Sequence, residues 1–75
     1  MEIKVPELAE GVTEATITLW HVKEGERVEK GQDIVEMATD KATFNMPSPE
    51  TGVFKKQVHA EGDTVKVGET IAELE

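Results

Sequence analysis

The sequence predicts an all-β fold, a barrel or sandwich of two sheets related by a quasi-two-fold axis. Three observations carry this expectation. Nowhere do apolar residues recur at helical spacing over a useful length. Short runs rich in Ile, Val and Thr are separated by turns carrying Gly25, Gly31, Gly52, Gly62 and Gly68. The chain also resembles itself. Shifted by 37 positions, Glu24-Gly25-Glu26 falls on Glu61-Gly62-Asp63, Val28 on Val65, Gly31 on Gly68, Ile34 on Ile71, Glu36 on Glu73 and Met37 on Leu74.

The elements follow in order. Ile3 and Val5 alternate with polar neighbours and read as a short strand ending at Pro6. Glu7 to Glu14 has no period and contains Gly11, so it is a loop. Ala15 to Val22 is strand-forming, but Ile17 and Trp20 share a face only if a bulge lies between them. Lys23 to Glu26 and Lys30 to Asp33 are turns around a brief apolar contact at Val28. Ile34 to Thr39 and Ala42 to Met46 form a hairpin with Asp40-Lys41 at its tip. Pro47-Ser48-Pro49-Glu50-Thr51-Gly52 is a stiff turn, because proline fixes its own φ and restricts the residue before it. Val53 to Val58 is the next strand, turns at Glu61-Gly62-Asp63 and Val67-Gly68-Glu69 bracket Val65, and Ile71 to Leu74 closes the chain.

The repeat locates the tip. Val5-Pro6 resembles Met46-Pro47 at a shift of 41, which makes the first loop about four residues longer than its counterpart. The strand before the tip corresponds to the last strand of the chain, and the strand after it to the first. Lys41 is therefore expected at one end of the molecule and both termini at the other, a layout that suits a tethered domain.

Composition narrows the function. A single domain of 75 residues without Cys has no disulfide, and no His/Cys cluster has metal spacing. The net charge of -8 gives a soluble surface repelled by phosphate backbones and anionic lipid, so nucleic acid and membranes are not expected partners. A basic pocket on another protein is. No apolar run is long enough to span a membrane and no signal segment opens the chain, which reads as intracellular or as a piece of a longer protein. His21 and His59 are accompanied by no patterned nucleophile and are expected as surface strand residues. The carboxylates are too numerous for acidic pairs to carry meaning. No catalytic site is recognisable, and the domain is not expected to be an enzyme by itself.

Lys41 is the candidate for chemistry. A lysine in a turn is ordinarily a solvated charge, but an amine to be acylated needs the exposure that a hairpin tip provides. Asp40 either supports the turn or steers a partner. Thr39 and Ala42 are small neighbours that leave Lys41 uncrowded, or are ordinary strand ends. Trp20 is expected as a core or half-buried strand residue, and Phe44 and Phe54 in the core, since few other large groups are available to bury.

With these residues in hand, residues 1–75 resemble the lipoyl domains of 2-oxo acid dehydrogenase complexes, in the biotinyl/lipoyl attachment family. The resemblance rests on Ile3-Lys4-Val5-Pro6-Glu7-Leu8, Glu10-Gly11-Val12, Trp20 to Val28, Thr39-Asp40-Lys41-Ala42, Met46-Pro47-Ser48-Pro49 with Gly52, Glu61-Gly62-Asp63-Thr64-Val65 and Val67-Gly68. It implies a flattened β-barrel (barrel-sandwich hybrid) of two four-stranded antiparallel sheets. It implies lipoate joined to Lys41 through an amide, with Asp40 and Ala42 flanking it and Thr39 beside them. It implies that Leu8, Glu10, Gly11 and Val12 lie in the loop by which a partner decarboxylase recognises its own domain.

The implied function is that of a swinging-arm acyl and electron carrier. The lipoyl group is reductively acylated by a thiamin diphosphate-dependent 2-oxo acid decarboxylase. It delivers the acyl group to an acyltransferase site and coenzyme A, and is reoxidised by dihydrolipoamide dehydrogenase. A lipoate ligase or a lipoyl/octanoyl transferase would modify it. The domain is expected to be a monomer belonging to an acyltransferase polypeptide, in bacterial cytoplasm or the mitochondrial matrix. Two alternatives stay open: a biotinyl carrier domain, in which the lysine typically lies between two methionines where this chain has Asp40 and Ala42, and an unmodified structural barrel-sandwich domain.

Overall fold

The computed structural model describes all residues from Met1 to Glu75. It contains eight strands and no helix: β1 (Glu2–Lys4), β2 (Glu14–Trp20), β3 (Arg27–Val28), β4 (Asp33–Ala38), β5 (Thr43–Pro47), β6 (Gly52–Gln57), β7 (Thr64–Lys66) and β8 (Thr70–Leu74). They form two four-stranded sheets, ordered β1-β8-β6-β3 and β5-β4-β2-β7, with every pairing antiparallel. The sheets lie face to face as a flattened sandwich rather than a closed barrel, in a molecule of 32 × 20 × 17 Å.

The two sheet orders are the same order under exchange of β1 with β5, β8 with β4, β6 with β2 and β3 with β7. The likeness reaches individual residues. Ile17 faces Met37 and Leu19 faces Glu36, so Thr18 is the extra residue of a bulge. In the other sheet Phe54 faces Leu74 and Lys56 faces Glu73, and Lys55 is the extra residue. The bulge in β2 turns Ile17 and Trp20 to one face, as the sequence requires. Gly25 and Gly62 take φ of 94° and 95° at equivalent turns, a conformation that side chains resist.

The carboxylates that looked uninformative close those turns. Glu24 accepts the Gln57 N–H at 2.9 Å, as Glu61 accepts that of Trp20 at 2.9 Å. Glu26 accepts the Lys23 N–H at 3.1 Å, as Asp63 accepts that of Ala60 at 3.1 Å. Gln32 and Glu69 do the same for Glu29 and Lys66. Each bond satisfies a backbone donor that the sheets leave free.

One expected correspondence is corrected. Ile3 faces Ala72 as Met46 faces Val35, and Lys4 faces Thr70 as Pro47 faces Asp33. The offset between β1 and β5 is therefore 43 rather than 41, and the first loop exceeds its counterpart by six residues rather than four. The partner of Val5 is Ser48, not Met46: both are 2% exposed. The Val5 carbonyl accepts from Gly68 as that of Ser48 accepts from Gly31. A slip of two residues leaves every side chain on the same face, so the apolar pattern could not separate the two offsets. Ser48 is the one buried polar residue, and its hydroxyl donates to the Glu50 carbonyl at 2.6 Å.

The core is one cluster of 15 buried residues, with Phe54, Ile3, Ile17, Ile34, Met37 and Ile71 the largest. Trp20 packs on Phe54 with ring centroids 5.4 Å apart, and its indole N–H donates to the His59 carbonyl at 2.9 Å. Phe44 departs from expectation. It is only half-buried, because it lies on the edge strand β5, which has a sheet neighbour on one side only.

Candidate functional site

The last ladder pair of the β4–β5 hairpin is Ala38 with Thr43, so Thr39, Asp40, Lys41 and Ala42 form the tip. The opposite end of the molecule is fixed by connectivity. From the tip, β5 descends to Pro47 and a short turn leads to Gly52, where an added Cβ would lie 2.7 Å from the Glu75 carbonyl oxygen. There Leu74 and Met1 exchange backbone hydrogen bonds of 2.7 and 2.8 Å. Lys41 and the two termini thus occupy opposite ends.

Lys41 is exposed, and its amine takes part in no ion pair. The other six lysines lie elsewhere: Lys4, Lys55, Lys56 and Lys66 within strands, Lys23 and Lys30 in turns that join the two sheets. Lys41 alone stands on a hairpin within one sheet.

The supports of the tip differ from expectation. Asp40 is exposed and its carboxylate makes no hydrogen bond, so it does not brace the turn. That work belongs to Thr39. Its backbone N–H donates to the Ala42 carbonyl at 2.8 Å, and its hydroxyl also donates there at 3.1 Å. The same hydroxyl oxygen accepts the N–H groups of Lys41 at 3.2 Å and Ala42 at 3.1 Å. The only signal in the sequence for this is a Thr in a turn, a residue whose hydroxyl can bond nearby backbone groups.

A shallow groove of about 670 Å³ begins at the tip and runs along the outward face of β2, lined by Thr39, Asp40, Thr13, Thr16, Thr18 and Thr64 among others. The loop from Glu7 to Thr13 ends beside it. Leu8 packs on the core, Gly11 turns the chain at φ 79°, and Val12 donates to the Ala9 carbonyl at 3.1 Å. Glu10 is exposed. Ala9, Gly11 and Val12 line a second groove with Lys66 and Val67 of the β7 side, so the body of this loop lies against β7 and only its end reaches the tip groove.

Neither imidazole joins the tip. His21 Nε2 lies 3.0 Å from Asn45 Oδ1. His59 is not the surface strand residue expected: it is half-buried between Asp63, at 3.3 Å, and Glu69, at 2.8 Å, in the segment joining β6 to β7.

Comparison with known proteins defines this arrangement. The family model described as "Biotin-requiring enzyme", a biotin and lipoyl attachment model, matches residues 1–74. The dihydrolipoyllysine-residue succinyltransferase component of the 2-oxoglutarate dehydrogenase complex of Staphylococcus saprophyticus is 51% identical over 95% of this chain. The lipoamide acyltransferase component of the branched-chain alpha-keto acid dehydrogenase complex of Bacillus subtilis is 42% identical over 99% of it. The chain spans only 17% and 18% of those two proteins.

Among solved structures, the lipoyl domain of the 2-oxoglutarate dehydrogenase complex from Azotobacter vinelandii superposes with a TM-score of 0.79 at 36% identity, covering 100% of this chain and 95% of that one. Urea carboxylase from Kluyveromyces lactis shares the fold at 21% identity, with a TM-score of 0.75 over 99% of this chain and 7% of its own. The chain belongs to the biotin and lipoyl attachment family and, within it, to the lipoyl domains found in acyltransferase components of 2-oxo acid dehydrogenase complexes.

Proposed function

We propose that Lys41 carries lipoate through an amide on Nζ, and that the domain is the swinging-arm acyl carrier of a 2-oxo acid dehydrogenase complex. The observation that carries this is the placement of Lys41: an exposed amine without an ion-pair partner, at the tip of a hairpin, opposite the chain termini. The residues fit the group. Acylation removes the charge of Lys41 without breaking any bond of the fold, and the tip leaves the side chain open on several sides. When bound there, lipoate supplies a dithiolane able to accept an acyl group and two electrons, chemistry that a Cys-free chain lacks.

The chain's own residues present and discriminate. The β4–β5 ladder carries the tip, and the Thr39 hydroxyl accepts the Lys41 N–H at 3.2 Å, while the Lys41 side chain is exposed. Asp40, free of structural duty, and Ala42 flank the amine and meet whatever enzyme approaches it. Thr39 and the groove beside it, with the loop carrying Leu8, Glu10, Gly11 and Val12, offer a surface particular to this domain. The partners that fit are a thiamin diphosphate-dependent 2-oxo acid decarboxylase, an acyltransferase, dihydrolipoamide dehydrogenase, and a lipoate ligase or lipoyl/octanoyl transferase. The net charge of -8 favours basic docking surfaces on them. Tethering at the opposite end would raise the local concentration of Lys41 at each partner site.

The test is intact mass after incubation with a lipoate ligase, ATP and lipoate, beside the Lys41→Gln variant. A single lipoyl increment in the wild type and none in the variant is expected. No increment in the wild type, or one in both, would refute the assignment. A biotin increment with biotin ligase in place of the lipoyl one would transfer the site to biotin.

A further inference from the structure

The tip that presents Lys41 is closed in an unusual way. A two-residue hairpin loop ordinarily takes a turn with φ > 0 at one or both central residues, because that twist matches the flanking strands. Asp40 and Lys41 have no positive φ; all five positive-φ residues of the chain are glycines in other turns. The ladder bond from the Thr39 N–H to the Ala42 carbonyl is present at 2.8 Å, but the Ala42 N–H does not return to the Thr39 carbonyl. It goes to the Thr39 hydroxyl at 3.1 Å, which also takes the Lys41 N–H at 3.2 Å and donates to the Ala42 carbonyl at 3.1 Å. One side chain therefore replaces the missing backbone bond and ties down the amide of Lys41 itself.

We infer that Thr39 is the positioning residue for modification of Lys41, acting through the three hydrogen bonds by which its hydroxyl closes the tip. The inference deepens the assignment of Lys41 as the attachment lysine and rests on it. Its physical content is preorganisation. An acylating enzyme must hold the Lys41 backbone in one pose while it reaches the amine, and a tip already held in that pose costs less to bind. Without the hydroxyl, the Lys41 and Ala42 amides turn to water, since both residues are exposed. The fold loses little, but the pose is no longer unique. Asp40, by contrast, can change without loosening the tip, because its carboxylate bonds nothing there.

The experiment has two arms on the unmodified 75-residue domain. The first reads amide hydrogen exchange by NMR. In the wild type, the Lys41 and Ala42 amides exchange more slowly than that of Asp40, which has no acceptor in the fold. In Thr39→Val, which keeps the β-branched shape, those two amides speed up while the core strands do not change. Thr39→Ser restores them. The second arm reads lipoate ligation. Thr39→Val lowers kcat/KM on the order of tenfold, as the loss of a net hydrogen bond allows, and Thr39→Ser returns it to near the wild-type value.

Equal exchange at all three tip amides of the wild type would overturn the inference without any variant. So would a Thr39→Val protein ligated as fast as wild type, or a Thr39→Ser protein as slow as Thr39→Val. Failure of the wild type to be ligated while the exchange pattern holds would refute the lipoate assignment and leave the closure of the tip by Thr39 intact.

Discussion

Lys41 contributes an amine and almost nothing else to the folded state. Its side chain is exposed and pairs with no carboxylate, so its removal leaves no buried group unsatisfied. Lys41→Gln is expected to change unfolding free energy by less than about 0.5 kcal/mol, measured by urea denaturation with Trp20 fluorescence. A larger loss would show that the tip is part of the stabilising structure. At the same scale, Thr39 and Asp40 exchange the roles the sequence suggests. Both residue types support turns through their side-chain oxygens. The choice between them depends on the turn's dihedral angles, which the sequence does not display. The position of Lys41 at the tip was legible because the repeat places it, not because Asp-Lys is distinctive.

At the scale of elements, the internal repeat made most of the fold readable. Glycines at equal spacing marked equivalent turns, and the misfit between Ile17 and Trp20 marked a bulge that the structure shows in both sheets. The β1–β5 offset differs from the expected one because strand patterns repeat every two residues and do not separate offsets two apart. Phe44 is less buried than expected because a sequence shows which face a residue takes but not whether its strand lies at an edge. The equivalence of the turns is open to a direct test. Gly25 and Gly62 have φ of 94° and 95°, and neither has an atom within 4 Å of an added Cβ. Alanine at either site thus meets backbone strain alone. Gly25→Ala and Gly62→Ala are each expected to cost about 1–2 kcal/mol, and nearly the same amount. Values differing by more than about 1 kcal/mol would show that the two turns share a shape but not an energetic environment.

For the molecule as a whole, charge is the term left uncompensated. A net charge of -8 is carried by 75 residues, and only one lysine-carboxylate pair forms, between exposed Lys4 and Glu2 at 4.0 Å. Salt therefore has little attraction to weaken and much repulsion to screen. Raising NaCl from about 20 mM to about 500 mM is expected to raise Tm by a few degrees in a thermal scan at neutral pH. A fall in Tm would point to stabilising charge networks that the contacts do not reveal.

The pairing of β1 also sets a schedule. Its only sheet neighbour is β8, so β1 has no sheet partner until β8 has been made. The β4–β5 hairpin can pair with itself much earlier, but an isolated two-stranded hairpin is at best marginally stable in water. A tip that must be ordered before it is recognised thus waits on the whole domain, and the attachment proposed at Lys41 becomes a step that follows its folding.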